Sequence, residues 1–313
     1  MTLFCPALSR LAILLPFVLL SMVSFAAEVR RIEPESEPGI AGKEVDWIYG
    51  DYLMTNDQVA LAIAAPLPTR DANMTIRNIG GSILDLTLKN PLNDQLSAYT
   101  PTGGRYLFHD PAEVTTGRDG DGVFWQCRSS RSLANDGTTA TVRYRLGDGD
   151  AFVESSVRVD GKDAKSLLAV DIVRADGWFA FEQQDSVAYC TDIFFRQTIG
   201  LNVPLSAKPP NWKRVGRAHQ VRYLDDQVER SDGMLKWSVR LYPATSPLDL
   251  KTAVEQPNVA APMSTFTVVP KTRPKKSFQS VTRAEIALQP VGEQKGETGE
   301  TYKLRTDDQG IAR

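Results

Sequence analysis

The chain has 313 residues, with 36 Lys and Arg against 38 Asp and Glu, a formal net charge of −2 and 42% hydrophobic residues. So even a balance offers no broad basic field to nucleic acid or to anionic lipid, and no nucleic-acid partner is expected. Two histidines, His109 and His219, and three cysteines, Cys5, Cys127 and Cys190, exclude any site built from several imidazoles or thiolates, so no metal and no cofactor is expected.

The N-terminal stretch reads as a secretory leader. Arg10 is the only charge before an apolar run from Leu11 to Val23, which ends at Ser24-Phe25-Ala26, with small residues at −3 and −1 before Ala27. That run is about 13 residues, whereas a bilayer span needs roughly 20, so no stable membrane anchor is expected once residues 1–26 are removed. The expected destination is the periplasm or the extracellular space. Cys5 leaves with the leader, and in an oxidising compartment Cys127 and Cys190 could form one disulfide; their apolar, strand-like contexts equally suit two buried thiols.

From about Asp46 onward the pattern has period two. Val59, Leu61, Ile63 and Ala65 share one side of a strand that follows the turn Thr55-Asn56-Asp57, and Tyr52 and Met54 lie in the strand before it, which makes a hairpin. Val142, Tyr144 and Leu146 alternate with Arg143 and Arg145. After Gly147-Asp148-Gly149-Asp150 the alternation resumes at Val153, Ser155, Val157 and Val159 against Glu154, Ser156 and Arg158, a second hairpin. Further strands are expected over 83–88, 123–128, 167–174, 178–182, 187–189, 220–223, 235–242 and 264–269. A short helix is expected from Pro247 to Thr252, capped by Ser246. Many strands at regular spacing, with so little helix, predict an all-β fold: a large antiparallel, supersandwich-like β-sandwich over 27–270. The Pro-rich, basic stretch 271–280 reads as a linker, and 281–313 as a short β segment too small to close a sandwich of its own.

Two strings, Gly50-Asp51-Tyr52-Leu53-Met54-Thr55-Asn56-Asp57-Gln58-Val59 and Gly80-Gly81-Ser82-Ile83-Leu84-Asp85, resemble the opening β-domain of large secreted bacterial proteins. In those proteins such segments begin a galactose-mutarotase-like sandwich, sometimes upstream of a PHP-type metallohydrolase domain. The resemblance spans roughly residues 45–180 and implies a sugar-binding sandwich. The histidine clusters of the hydrolase domain are absent, so hydrolase function does not follow. The tail, through Thr306-Asp307-Asp308-Gln309-Gly310-Ile311-Ala312, resembles the start of a carboxypeptidase-regulatory-like, transthyretin-like module without its second half.

No Gly-x-Ser-x-Gly, P-loop, His-Glu-x-x-His or Gly-x-Gly-x-x-Gly motif occurs. Asp119-Gly120-Asp121-Gly122 and Asp148-Gly149-Asp150 lack the spacing and bidentate Glu of a calcium loop and read as turns. The candidate ligand-binding residues are His109, Asp94, Gln95, Tyr99 and Arg105, all assigned to one polar loop region, with Trp47, Trp125 or Trp212 as possible stacking platforms. The reading is an exported, non-catalytic sandwich that binds a glycan or a protein partner, or supports neighbouring domains. The alternative is a mutarotase-like or lyase-like carbohydrate-active enzyme, which requires His109 or His219 in one cleft with arginine and carboxylates.

Overall fold

The computed structural model describes residues 26–35, 40–41, 45–72, 76–90, 92, 96–109, 113–175, 180–192, 196–216 and 218–255, together with four short strands nearer the C-terminus. In chain order the elements are β1 (Glu28–Arg31), β2 (Tyr52–Thr55), β3 (Val59–Ile63), β4 (Ile83–Leu88), β5 (Leu96–Thr100), β6 (Tyr106–Leu107), β7 (Glu113–Asp119), β8 (Gly122–Arg128), β9 (Arg131–Ser132) and β10 (Thr139–Gly147). They continue with β11 (Val153–Asp160), β12 (Val170–Ala175), β13 (Ala180–Gln184), β14 (Val187–Asp192), β15 (Gln197–Asn202), β16 (Asn211–Val215), β17 (Ala218–Arg222), β18 (Val228–Ser231) and β19 (Met234–Ala244). Then come α1 (Pro247–Glu255), β20 (Phe266–Thr267), β21 (Glu285–Leu288), β22 (Tyr302–Arg305) and β23 (Ile311–Ala312).

Two large antiparallel sheets result. One runs β1-β2-β3-β4-β5-β12-β17-β16; the other runs β13-β14-β15-β19-β11-β10-β8-β7. The eleven residues of β19 are long enough for two partners on one side: β18 pairs with Met234 to Trp237, and β15 with Arg240 to Ala244. The alternation read in the sequence sets the facing of each strand. Val142, Tyr144 and Leu146 of β10, and Val153, Val157 and Val159 of β11, turn inward against Leu61, Ile63 and Ile83 of the opposite sheet. Trp125 and Tyr144 stack in that core at 5.7 Å.

Beyond this inter-sheet core, each sheet has part of its outer face covered. Ile32, Ile40 and Trp47 lie over Leu53, Ala60 and Ala62 of the eight-stranded sheet, and Ile79 and Ala72 over Ala64 and Leu84. On the nine-stranded sheet, α1 packs Leu250, Ala253 and Val254 against Phe152, Val187, Tyr189 and Tyr242. The four C-terminal strands pair with one another, β20 with β23 and β21 with β22, and extend neither large sheet; the backbone of β22 passes beside α1. The expected linker 271–280 and the 292–299 loop lie outside the described residues. Among the described residues no helix is long and apolar enough to cross a membrane.

Candidate functional site

The outer face of the nine-stranded sheet carries most of the organised polar chemistry. Because β8, β10, β11 and β19 bury every second residue, the intervening ones line up in rows across the strands. Gln126, Arg143, Ser156 and Ser238 are consecutive register partners and form one row. Phe124, Arg145, Glu154, Arg240 and Asn202 form the next, and Arg128, Thr141, Arg158, Lys236 and Glu229 the row on the other side. Within the face, the Ser156 and Ser238 hydroxyls are 2.8 Å apart and the Arg143 guanidinium lies 3.8 Å over the Phe124 ring. Arg240 lies 4.6 Å over Phe152.

Five of the six cations in these rows pair with carboxylates, Arg128 being the exception among the ion pairs of the described residues. Arg143 donates to Asp119 at 2.6 Å, Arg145 pairs with Asp121 and with Asp150, Arg158 with Asp160, Lys236 with Glu229 and Arg240 with Glu154. Asp119 and Asp121, the turn aspartates considered for calcium, are therefore ion-pair partners of the sheet, and among the described residues no group of three or more metal-binding side chains gathers. The net result is a field of donors and acceptors at regular spacing with little net charge.

α1 divides this face. Ser246 caps the helix through Oγ, which accepts from the Asp249 N–H at 3.1 Å, so the sequence-expected cap and start are observed, with the helix one turn longer than expected. Gly200 in β15 lets the helix approach, since a methyl there would collide with Leu250. On the far side of α1 from the polar rows, an open groove runs between the helix and β14, lined by Val187, Tyr189, Leu250 and Val254 together with Asp185, Lys251 and Glu255. Lys251 sits 3.8 Å from Asp185 and 3.6 Å from Glu255.

The sequence-nominated loop residues do not form one site. Asp94 and Gln95 lie outside the described residues. Tyr99 is not in a loop: it belongs to β5, buried in the core, where its hydroxyl donates to Asp171 Oδ2 at 2.6 Å. Asp171 is wholly buried and also accepts from the Tyr223 hydroxyl (2.5 Å), the Thr102 backbone N–H (2.9 Å) and Trp237 Nε1 (3.2 Å). Burial pushes its carboxyl above the ordinary range, against the opposing pull of its hydrogen bonds, and the same burial pushes the Tyr99 and Tyr223 phenols well up. This cluster ties β12, β5 and the end of β17 to β19 of the opposite sheet. The signal for it is an aspartate on the inward side of the alternation Ala169, Asp171, Val173.

Arg105 leaves the strand region altogether and pairs with Asp136, whose carboxyl the Thr138 hydroxyl and Arg105 hold far below the usual range. His109 is half-buried just after β6 and lines no part of the groove beside α1. His219 in β17 stacks on Phe181 at 3.3 Å with Trp212 at 5.9 Å, and burial, aided by Arg214, pushes its pKa down to about 4. It does not line that groove either. Trp125 is fully buried, and Trp47 donates from Nε1 to the Ile40 carbonyl at 2.8 Å, which makes both packing residues.

The disulfide is a further correction. Cys127 in β8 and Cys190 in β14 are separate buried thiols. They sit five strand steps apart in one sheet, roughly 24 Å along it at the usual spacing, against the roughly 7 Å Cα separation a bridge tolerates. Burial pushes the Cys127 thiol up to about 12 and Cys190 higher still, so both are poor nucleophiles.

No family model and no curated protein matches the chain. Among solved structures, it is similar to a TPR-domain containing protein from Parabacteroides distasonis, with 11% identity and a TM-score of 0.47, over 80% of this chain and 56% of that one. It is also similar to heparan sulfate lyase HepC from Pedobacter heparinus, with 9% identity and a TM-score of 0.36, over 88% of this chain and 42% of the lyase. The chain thus spans about half the length of these structures or less.

Proposed function

We propose that the protein is an exported, non-catalytic binding module that takes a neutral glycan across the outer polar face of the nine-stranded sheet. The observation that carries this reading is the row Gln126, Arg143, Ser156 and Ser238 with its flanking rows. Four strands place these groups along about 14 Å at fixed spacing, and each side chain is already oriented by a neighbour, which limits the ordering entropy lost on binding. Sugar hydroxyls are both donors and acceptors, and serine hydroxyls, a glutamine amide and guanidiniums braced by carboxylates answer both roles. Pairing of the arginines with Asp119, Asp121, Glu154 and Asp160 favours an uncharged ligand over a polyanion. The non-catalytic part rests on where the reactive groups sit: Asp171 and both thiols are buried away from solvent, and His219 is stacked on Phe181.

Titration of the chain from Ala27 onward against neutral and sulfated oligosaccharides tests this. Binding of a neutral glycan is expected to change little between low and high salt, because few counterions are released. Arg143→Ala is expected to weaken it about tenfold, the loss of one charge-assisted hydrogen bond. Arg214→Ala, beside His219, should leave it unchanged. Binding confined to sulfated chains and abolished by salt, or turnover of a sugar or ester at substoichiometric protein, overturns the reading.

A further inference from the structure

Ala27 is held at both of its backbone polar groups. Its N–H donates to Asp148 Oδ1 at 2.8 Å, and its carbonyl accepts from Arg118 at 3.2 Å. Arg118 of β7 also grips both oxygens of Asp148, at 3.0 and 2.9 Å. The Ala27 methyl group is buried in the inter-sheet core, whereas Ala26 is exposed. Among the described residues, burial therefore begins at Ala27. From there β1 joins the eight-stranded sheet, although Asp148 and Arg118 belong to the nine-stranded one. The sequence places a leader-peptidase site, small at −3 and −1, at the Ala26–Ala27 bond.

We propose that leader removal and folding are coupled here: the α-ammonium group released at Ala27 docks on Asp148 as an ion pair, so the processed N-terminus fastens one sheet to the other. The inference rests on the export half of the functional reading and is independent of the glycan. Hydrolysis by a leader peptidase adds a hydroxyl to the Ala26 carbonyl and a proton to the Ala27 nitrogen, which takes a further proton from solvent near neutral pH. An amide hydrogen bond to a carboxylate thereby becomes a charged pair at the same atoms. The carboxylate is already held low by the Ala27 N–H, with Arg118 contributing. The charged groups around it are Arg118 of β7, Asp121 of the β7–β8 turn, and Arg145 and Asp150 of β10 and its following turn, with Glu28 next on β1.

The test compares the chain beginning at Ala27 with one beginning at Ala26, whose ammonium is displaced into solvent, and with Asp148→Asn in the Ala27 chain. The α-amino pKa is read by NMR, and its reactivity by acylation at neutral pH. In the Ala27 chain the pKa is expected to stand about one unit above the ordinary 7.7–8.0, which leaves about a tenth of the free amine and slows acylation about tenfold. The Ala26 chain and Asp148→Asn are expected to show ordinary values. Equal pKa and reactivity in the Ala27 and Ala26 chains overturns the ion pair. N-terminal sequencing of the exported protein that begins anywhere but Ala27 overturns the coupling to processing, while glycan titration reports separately on the binding face.

Discussion

Asp171 has its charge removed from water and returned to it by four donors, so its energetics depend on every part of that arrangement being present. Asp171→Ala leaves two phenols, an indole N–H and the Thr102 N–H without an acceptor, and Thr102 sits at φ 64°, a left-handed conformation costly for a residue with a Cβ, which that hydrogen bond helps to hold. A loss of about 3–5 kcal/mol is expected in chemical denaturation, comparable to breaking a buried charged network. Asp171→Asn, which keeps an acceptor oxygen and removes the buried charge, should lose markedly less. His219 titrates in the opposite sense to a paired histidine. Its folded pKa of about 4 lies below the unfolded value near 6.5, so the unfolded chain binds more protons between them, and this residue's contribution to stability is present above pH 6.5 and lost as pH falls toward 4. With only two histidines in the chain, the two imidazole C2–H resonances are separable by comparison with His219→Gln, and the one lost should titrate near pH 4. A midpoint near 6.5 would show that the stacked ring is solvated as an ordinary histidine.

At the scale of elements, the turns do as much as the strands to hold the sheets in place. Asn56, in the β2–β3 turn, accepts from the Gln58 and Val59 N–H groups through Oδ1 and donates from Nδ2 to the Gly147 and Asp150 carbonyls, 2.8 Å each, in the β10–β11 turn of the other sheet. Asn56→Asp keeps the local turn but points an acceptor at two carbonyls. It should therefore cost more than Asn56→Ala, with about 2–4 kcal/mol expected for the alanine change from two lost inter-sheet bonds at a buried site. An aspartate variant as stable as wild type would show that the clamp contributes little. Much of this level is legible in the sequence: the two hairpins, the cap at Ser246 and the alternation of β10 and β11 all show in period and turn residues. The Gly50 to Val59 string that carries the family resemblance contains the Asn56 clamp and also Asp51, which binds the buried Arg70 and the Ala65 N–H. The strands that escape a sequence reading are β1, β5, β7, β15, β16 and β18, together with the two-residue β6 and β9. The longer ones lack a clean inside-outside alternation: β5 and β15 are buried on nearly all positions, and β1, β7, β16 and β18 have no buried position.

For the whole molecule, the polar face is only half visible in the sequence. The outward residues Arg143, Arg145, Glu154 and Arg158 read correctly as one side of a hairpin, but their alignment with Gln126, Ser238 and Arg240 depends on β8 and β19 flanking that hairpin, a long-range pairing no local pattern encodes. The nominated loop residues fail for the complementary reason: their proximity in sequence hides that β5 carries Tyr99 inward while the chain beyond it carries Arg105 to Asp136. The same topology separates the sandwich from the strands C-terminal to it. Every strand of both large sheets lies before residue 245, and α1, which covers the outer cluster around Tyr242 and Leu250, ends at Glu255. A chain from Ala27 to Glu255 therefore keeps both sheets, the inter-sheet core, the Asn56 clamp and the polar rows. Among the described residues, what it loses is the two pairs of short strands, which pair among themselves, and the backbone neighbour of α1. It is expected to unfold cooperatively with a denaturant midpoint close to that of the chain through Arg313 and with an m-value little reduced, since m scales with the surface exposed on unfolding. It should also bind the same glycan with unchanged affinity. If shortening at Glu255 instead yields a chain that fails to fold, or one with a much smaller m-value, the C-terminal strands belong to the cooperative unit and the sandwich is not complete without them.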